Sequence, residues 1–126
     1  MNKLGIPSVL HERVSLEVGD SARGIVVSVV GDIDMEDPSV LLDPFFLELH
    51  EKALRQGVRV IEVDFRKLRF LNSSGIKTLA KWAMMLAGTQ EAKRYAIRMI
   101  HDKAVAWQAT SLPTLSFLVP GAIVLE

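Results

Sequence analysis

The sequence predicts an α/β domain with a mixed, mostly parallel sheet, an N-terminal hairpin and flanking helices. Runs rich in β-branched residues, such as 25–30 and 58–65, have the character of buried strands. Between the strands lie segments whose apolar residues recur at helical spacing, of which 74–87 is the clearest. Strands separated by helices imply parallel pairing with right-handed crossovers. The length of 126 residues suits a single domain over 1–126, and its core must form without disulfides because the chain has no cysteine.

The first two strands are expected to form a hairpin that adds an antiparallel edge to the sheet. Polar and apolar residues alternate strictly over 13–18, as in a half-buried strand. Turn residues at 19–24 then lead into the more buried strand at 25–30. The residues before this hairpin, 1–12, carry little pattern and would form a tail or an added edge segment.

A helix is predicted at 44–56, after two Asp-Pro pairs. Each pair could start a helix, with aspartate as the N-cap and proline in the first position. Because proline in a helix interior removes a hydrogen bond, we do not expect one straight helix over 38–56, and 35–43 would be a loop or a short turn. Gly57 ends the helix. Its inward residues would be Phe45, Phe46, Leu49, Ala53 and Leu54.

The rest of the chain alternates further strands and helices, so that the complete order is β-β-α-β-α-β-α-β. The elements expected after the first helix are a strand at 58–65, a connection with Leu68 and Phe70, the helix at 74–87, a strand at 95–100, a helix at 103–111 capped by Asp102 and ended by Pro113, and strand-like residues at 115–119 and 122–125.

The composition argues against several classes of partner. The 15 basic and 15 acidic residues give a formal net charge of zero, whereas binding to a phosphate backbone needs a basic surplus. Residues 1–10 lack the apolar core of a signal peptide, and no apolar run approaches the roughly 20 residues that span a bilayer. We therefore expect a soluble, cytoplasmic protein that binds no nucleic acid and does not insert into a membrane.

No set of residues has the pattern of a catalytic centre. His50-Glu51 begins like a zinc-protease motif but lacks the second histidine one turn later, so His50 is interpreted as a surface residue. Asp32 and Asp34, with Asp37 nearby, could hold Mg²⁺ or Ca²⁺, or could simply end a strand and cap the next turn. A Gly-rich phosphate loop and a nucleophile elbow are both missing. We expect no catalytic residue, no metal and no cofactor, and hence no enzyme.

The segment Asn72-Ser73-Ser74-Gly75 lies between a predicted strand and the helix at 74–87. A serine in this position caps the free N–H groups of the helix and leaves a hydroxyl near solvent, at the positive end of the helix dipole. Capping alone is sufficient to explain the two serines.

On the helix that follows, Thr78, Trp82 and Met85 share a face displaced from the apolar stripe. An aromatic residue and a methionine on an outward face are typical of a partner surface. The alternative is that these residues pack beneath another element.

Taken together, these residues resemble a STAS domain of the single-domain anti-sigma factor antagonist type. The resemblance covers about 13–112, and the order of elements agrees with it. The residues that carry it are Gly31-Asp32-Ile33-Asp34 after a strand, Leu68 and Phe70 after the strand at 58–65, and Asn72-Ser73-Ser74-Gly75 followed by Ile76 and Leu79.

The resemblance implies a regulatory role without catalysis. It makes Ser73 the phosphorylation switch, with Ser74 as the second candidate. An anti-sigma factor that is also a serine kinase would modify the serine, and a metal-dependent serine phosphatase would reverse the change. The unmodified domain would bind the kinase and free the sigma factor, and Asp34 matches the acidic residue beside the switch. The expected partner-binding residues are Asp32, Asp34, Asn72, Ser73, Ser74, Gly75, Thr78, Trp82 and Met85.

Three features depart from the family pattern. Asn72 replaces the usual aspartate, the segment after Asp34 is longer than usual, and Pro120-Gly121 with an apolar end stands in place of a C-terminal helix. The alternative function is therefore a STAS scaffold or subunit that is not phosphorylated, in a stressosome or a phospholipid-transport ABC complex. A homodimer is compatible with either function.

Overall fold

The computed structural model describes residues 2–126, which form a sheet, three helices and a short 3-10 turn. The strands are β1 (Val9–Leu10), β2 (Val14–Asp20), β3 (Ile25–Ile33), β4 (Val60–Asp64), β5 (Leu68–Leu71), β6 (Ala96–Ile100) and β7 (Ile123–Leu125). The helices are α1 (Ser39–Arg55), α2 (Ser73–Ala87) and α3 (Ala106–Ser116), with the 3-10 turn at Glu91–Lys93. None of the helices in this range is long and apolar enough to cross a membrane.

The described strands make one mixed sheet in the order β1-β2-β3-β4-β6-β7. The hairpin β2–β3 is antiparallel, as is β1 with β2, whereas β3, β4, β6 and β7 are parallel to one another. β5 lies off this path and pairs in parallel with the end of β3. The predicted fold class, a mixed and mostly parallel sheet with an N-terminal hairpin and helices, is confirmed.

β3 changes partner along its length, from β4 over its first half to β5 at its end. The register shifts between Gly31 and Asp32 at this change. Gly31 has a φ of 116°, and a Cβ there would lie 2.2 Å from the carbonyl oxygen of Arg13. Only glycine fits so close to the neighbouring strand with this backbone. The shift places the carboxyl ends of β3 and β5 side by side.

The core lies on one face of the sheet, where alternate residues of the central strands are buried. Val27, Val63 and Ile97 are examples, and they belong to one apolar cluster with Leu49 of α1 and Leu86 of α2. The alternate residues on the other face of β4 and β6 are only partly buried.

The first helix is longer than the sequence predicted. α1 begins at Ser39 instead of 44, and Pro44 lies inside it with its ring exposed. A proline in the second turn removes only one backbone hydrogen bond, whereas burial of Leu42 and Phe45 extends the apolar face into the first turns. Of the predicted inward residues, Leu54 alone is only partly buried.

The end of the chain also differs from the prediction. The segment expected as a strand at 115–119 is instead the end of α3 and the turn after it. α3 starts later than expected and continues through Pro113, because Leu112 and Leu115 are buried against the core. The strand-like residues at 122–125 do form β7, which extends the parallel sheet beside β6. The connection with Leu68 and Phe70 is itself a strand, β5, which the sequence analysis missed.

Candidate functional site

The candidate site lies where β5 ends and α2 begins. Asn72 is extended, with φ −77° and ψ 172°, and its side-chain Oδ1 accepts a hydrogen bond of 2.8 Å from the backbone N–H of Gly75. Its carbonyl oxygen accepts the first helical bond, from the N–H of Ile76. Asn72 is therefore the N-cap of α2. The expectation that a serine caps this helix is wrong, because the helix starts one residue earlier than predicted.

Ser73 and Ser74 are the first two residues of α2. Ser73 is exposed and Ser74 is partly buried. Because Asn72 supplies the capping oxygen, the Ser73 hydroxyl is not needed to hold the helix start. It stands in solvent beside the free N–H groups, at the positive end of the helix dipole.

The other end of the Asn72 side chain ties α2 to the loop after β3. Nδ2 of Asn72 donates to the carbonyl oxygen of Met35 at 2.8 Å. The backbone N–H of Asn72 donates to the carbonyl oxygen of Ile33 at 3.0 Å. Asp34 lies between these two anchored residues and is thereby held beside the start of α2. An aspartate at position 72 could cap the helix, but its ionised carboxylate could not donate to Met35. The carboxamide does both.

Gly75 is buried in the first turn of α2, against the ends of β3 and β5. A Cβ there would lie 2.4 Å from Cδ1 of Leu71 and 3.0 Å from Cγ2 of Ile33. Both side chains belong to the core, so they have little space to withdraw. Glycine allows the helix tip to approach the sheet closely, and a Cβ here would force the Leu71 side chain to shift.

The two aspartates at the end of β3 are paired with arginines that the sequence analysis did not single out. Nε of Arg13 donates to Oδ1 of Asp34 at 3.2 Å, and Nη2 of Arg69 donates to Oδ2 of Asp32 at 2.7 Å. The hydrogen bond and charge of Arg13 lower the pKa of Asp34. Arg13 reaches this place because the hairpin register sets Val14 opposite Gly31.

These ion pairs change the chemistry expected of the aspartates. Both carboxylates are already neutralised by guanidinium groups on the same surface. In residues 2–126, no group of three or more His, Cys, Asp or Glu side chains could hold a metal ion. What the arrangement offers is a small surface of alternating charges next to Ser73.

Two of the three residues expected on an outward face of α2 point into the core. Thr78 is 2% exposed and its hydroxyl donates to the carbonyl oxygen of Gly75, whereas Met85 is partly buried. Trp82 is fully buried, stacks on Phe46 of α1 with ring centroids 4.7 Å apart, and is 0% exposed. The outward interpretation is therefore wrong for Thr78 and Trp82. The alternative, packing beneath another element, is what the structure has.

Comparison with solved structures finds the same fold in a regulatory protein. The chain matches the crystal structure of an anti-sigma factor antagonist from Mycobacterium paratuberculosis with a TM-score of 0.59 and 19% identity, over 91% of this chain and 88% of that chain. This chain therefore has the STAS fold. The crystal structure of diguanylate cyclase SiaD in complex with its activator SiaC from Pseudomonas aeruginosa also matches, with a TM-score of 0.67 and 18% identity, over 94% of this chain and 97% of that chain. No protein-family model and no curated protein matches the sequence.

The residues on the exposed side of α2 each come one position before a residue of the side that the sequence suggested. Ser73, Lys77, Lys81 and Met84 are all exposed and recur at helical spacing. We call these four residues the outward stripe. It begins at the exposed serine and runs along the helix away from the sheet edge that carries the aspartates.

His50 is not a surface residue, contrary to the interpretation from sequence. It is 8% exposed, and its Nδ1 lies 2.7 Å from the Tyr95 hydroxyl, which in turn accepts from Nε1 of Trp82 at 2.8 Å. Burial lowers the pKa of His50 and raises that of Tyr95. Neutral His50 gives the Tyr95 proton an acceptor, so that the three polar atoms satisfy one another beneath α1 and α2.

Proposed function

We propose that the chain is a cytoplasmic, non-catalytic regulatory domain of the anti-sigma factor antagonist type, switched by phosphorylation of Ser73. Its partner would be an anti-sigma factor that is also a serine kinase, and a serine phosphatase would restore the free hydroxyl. The shared fold supports the class of protein. The single observation that carries the switch is the exposed hydroxyl of Ser73 at the start of a helix that Asn72 already caps.

The chemistry of the switch is a phosphoryl transfer. The γ-phosphoryl group of ATP passes to Oγ of Ser73, the hydroxyl loses its proton, and ADP leaves; the phosphatase uses water to release inorganic phosphate. The modified serine gains about −1.5 to −2 charge. Free N–H groups and the helix dipole tolerate that charge, but a partner surface docked against the helix tip would be repelled by it.

Asn72 is compatible with this switch. The aspartate expected from the family pattern would cap α2 with one oxygen, and Asn72 does so with Oδ1. Its carboxamide adds the bond to Met35, which holds the Asp34 segment in place. Replacing the aspartate therefore preserves the geometry of the helix start. Ser74 is the second candidate for phosphorylation and is less accessible than Ser73.

The proposal is tested by incubating the protein with an anti-sigma factor kinase and ATP, and mapping phosphate by mass spectrometry. We expect one phosphate, on Ser73, which Ser73→Ala abolishes and Ser74→Ala leaves in place. Absence of phosphate from both serines, with a kinase that modifies its own antagonist in the same assay, would contradict the switch.

The second candidate function is a subunit that binds its partner without phosphorylation. The match to the SiaD–SiaC complex supports a binding role of this kind, because SiaC is named there as an activator in complex with an enzyme. In such a role this chain would serve as a scaffold or subunit of a larger assembly, as in a stressosome or a phospholipid-transport ABC complex. Equal binding of a partner by the wild type and by Ser73→Asp would support this function over the switch.

A further inference from the structure

An apolar groove of about 770 Å³ lies between α1 and α2. Leu47 and Met84 stand at its edges with 47% and 56% of their surface exposed, and the buried rings of Phe46 and Trp82 lie beneath it. We call it the α1–α2 groove. Exposed leucine and methionine at the edges of an apolar depression are typical of a surface that binds a partner.

The layer beneath the groove is rigid. Trp82 is stacked on Phe46, and its Nε1 is bonded to the Tyr95 hydroxyl, which also contacts Nδ1 of His50. These contacts fix the ring in one orientation. A preformed apolar groove binds its ligand without first having to order its own side chains.

The charges at the groove are predominantly basic. Lys77 and Lys81 both line it, and Asp43 is the only acidic side chain among the lining residues. Nζ of Lys81 lies 2.8 Å from Oδ2 of Asp43, so those two charges cancel. Within residues 2–126, Lys77 has no carboxylate at salt-bridge distance. The groove therefore presents one uncompensated positive charge beside an apolar surface.

We propose that the α1–α2 groove receives an amphipathic helix of a partner protein that bears acidic residues beside its apolar stripe. A groove between two helices accepts the apolar face of a third, with anchors spaced at one helical turn. The uncompensated Lys77 selects acidic over basic flanking residues. This inference rests on the proposed function, since it identifies the surface through which a partner is bound.

The same lysine connects the groove to Ser73. Lys77 follows Ser73 by four residues on α2, and both side chains are exposed on the outward stripe. An anion four residues before a lysine is the favourable orientation for an ion pair on a helix. Phosphoserine at position 73 would therefore draw Lys77 away from the groove and neutralise it. Phosphorylation then weakens binding of the acidic helix without any change in the fold.

The experiment selects ligands without assuming a partner. A display library of peptides of about 15 residues, roughly four helical turns, has leucine fixed at helical spacing and all other positions random. It is selected against the unmodified full chain. We expect the enriched peptides to carry more Asp and Glu than Lys and Arg. Met84→Asp should weaken their binding on the order of tenfold, whereas Leu10→Asp, which changes a leucine 78% exposed on β1, should leave binding unchanged.

The link to Ser73 is tested with the same peptides. Lys77→Gln should weaken binding about two- to fivefold, as should phosphoserine introduced at position 73 during translation. Phosphoserine should have a smaller effect in the Lys77→Gln background, because the lysine it acts through is gone. Fully multiplicative effects would overturn the link between Ser73 and the groove.

Other outcomes overturn the groove itself. Enrichment of basic peptides, or equal binding by Met84→Asp, would show that the occupant is not an acidic helix in this groove. Self-association that Met84→Asp abolishes would make a second copy of the chain the occupant. Because the phosphoserine is encoded, none of these results depends on a kinase. Failure of a kinase to modify Ser73 would instead contradict the proposed function and leave the groove result standing.

Discussion

The two sides of α2 have opposite roles although they are only one residue apart in the sequence. Thr78 and Trp82 on the inward side are buried, and every polar atom they carry is hydrogen-bonded inside the protein. Ser73, Lys77 and Met84 on the outward stripe are exposed. The inward side fixes the position of the helix, whereas the outward stripe is free to change its charge or its contacts.

This difference shows that the type of a residue does not by itself predict whether its side chain is exposed. Trp82 has the character of an interface anchor, yet it is buried and packs against Phe46 of α1 inside the protein. The residue that stands at the edge of the groove is Met84. Modification and partner binding need exposed side chains and therefore belong to the outward stripe. Substitutions on the inward side should instead change the stability of the protein.

The largest expected difference between the two sides is in how much free energy of unfolding is lost when a side chain is replaced by alanine. Trp82→Ala removes a fully buried indole and leaves the Tyr95 hydroxyl without its donor, and we expect the free energy of unfolding to fall by about 3–5 kcal/mol. Met84→Ala removes a side chain that is 56% exposed and should change it by less than about 0.5 kcal/mol. Urea denaturation followed by circular dichroism measures both. Similar losses for the two variants would remove the distinction between the sides.

A smaller effect is expected at the two glycines that lie at the ends of α2, Gly75 in its first turn and Gly88 at its C-cap. Gly75→Ala places a Cβ 2.4 Å from Cδ1 of Leu71 and should cost about 1–3 kcal/mol. Gly88→Ala, at the C-terminal end, meets its nearest atom at 3.6 Å and has φ −77°, so we expect no loss and a gain of up to about 1 kcal/mol. The same denaturation measurement tests this pair. A stable Gly75→Ala variant would mean that the helix tip does not need its close approach to the sheet.

The next effect concerns Asn72, which joins the two sides at the helix tip. Asn72→Ala removes both the cap and the bond to Met35, with an expected loss of about 1–2 kcal/mol. Asn72→Asp retains the capping oxygen and should lose less than the alanine variant. The two variants are compared at neutral pH by urea denaturation. If Asn72→Asp were the more damaging of the two, repulsion between the new carboxylate and the carbonyl oxygen of Met35 would outweigh the cap.

The fold was largely predictable because its signals are local. β-branched runs and turn residues located β2 and β3, and helical spacing located α2. β5 was missed because its two buried residues, Leu68 and Leu71, are three apart and do not alternate. The start of α1 was missed because burial of its first turns outweighs the single hydrogen bond lost at Pro44.

The site was only partly predictable because its geometry depends on contacts between distant residues. The exposed serine could be located from the loop alone. The Arg13–Asp34 pair and the bond of Asn72 to Met35 join residues 21 and 37 apart in the chain. Correct hairpin register would have found the first, whereas the second needs the pairing of β5 with β3, which the sequence did not reveal. Trp82 was placed on the wrong side because its partners, Phe46 and Tyr95, come from other elements.

The last prediction concerns His50, which extends the inward side beneath α1. Burial lowers its pKa below the ordinary value of 6.5, so the unfolded chain binds a proton more readily than the folded one. The resulting stability is fully present above pH 6.5 and is lost as the pH falls from 6.5 through the folded pKa. The wild type should therefore have a lower urea midpoint at about pH 5.5 than at about pH 7.5, and His50→Gln should reduce this difference. We expect the smallest effect of the series here, since one proton on one side chain is involved.

Lys77→Gln is the matched control on the outward stripe and should retain the full pH dependence. If His50→Gln also retained it, the titrating group would lie elsewhere.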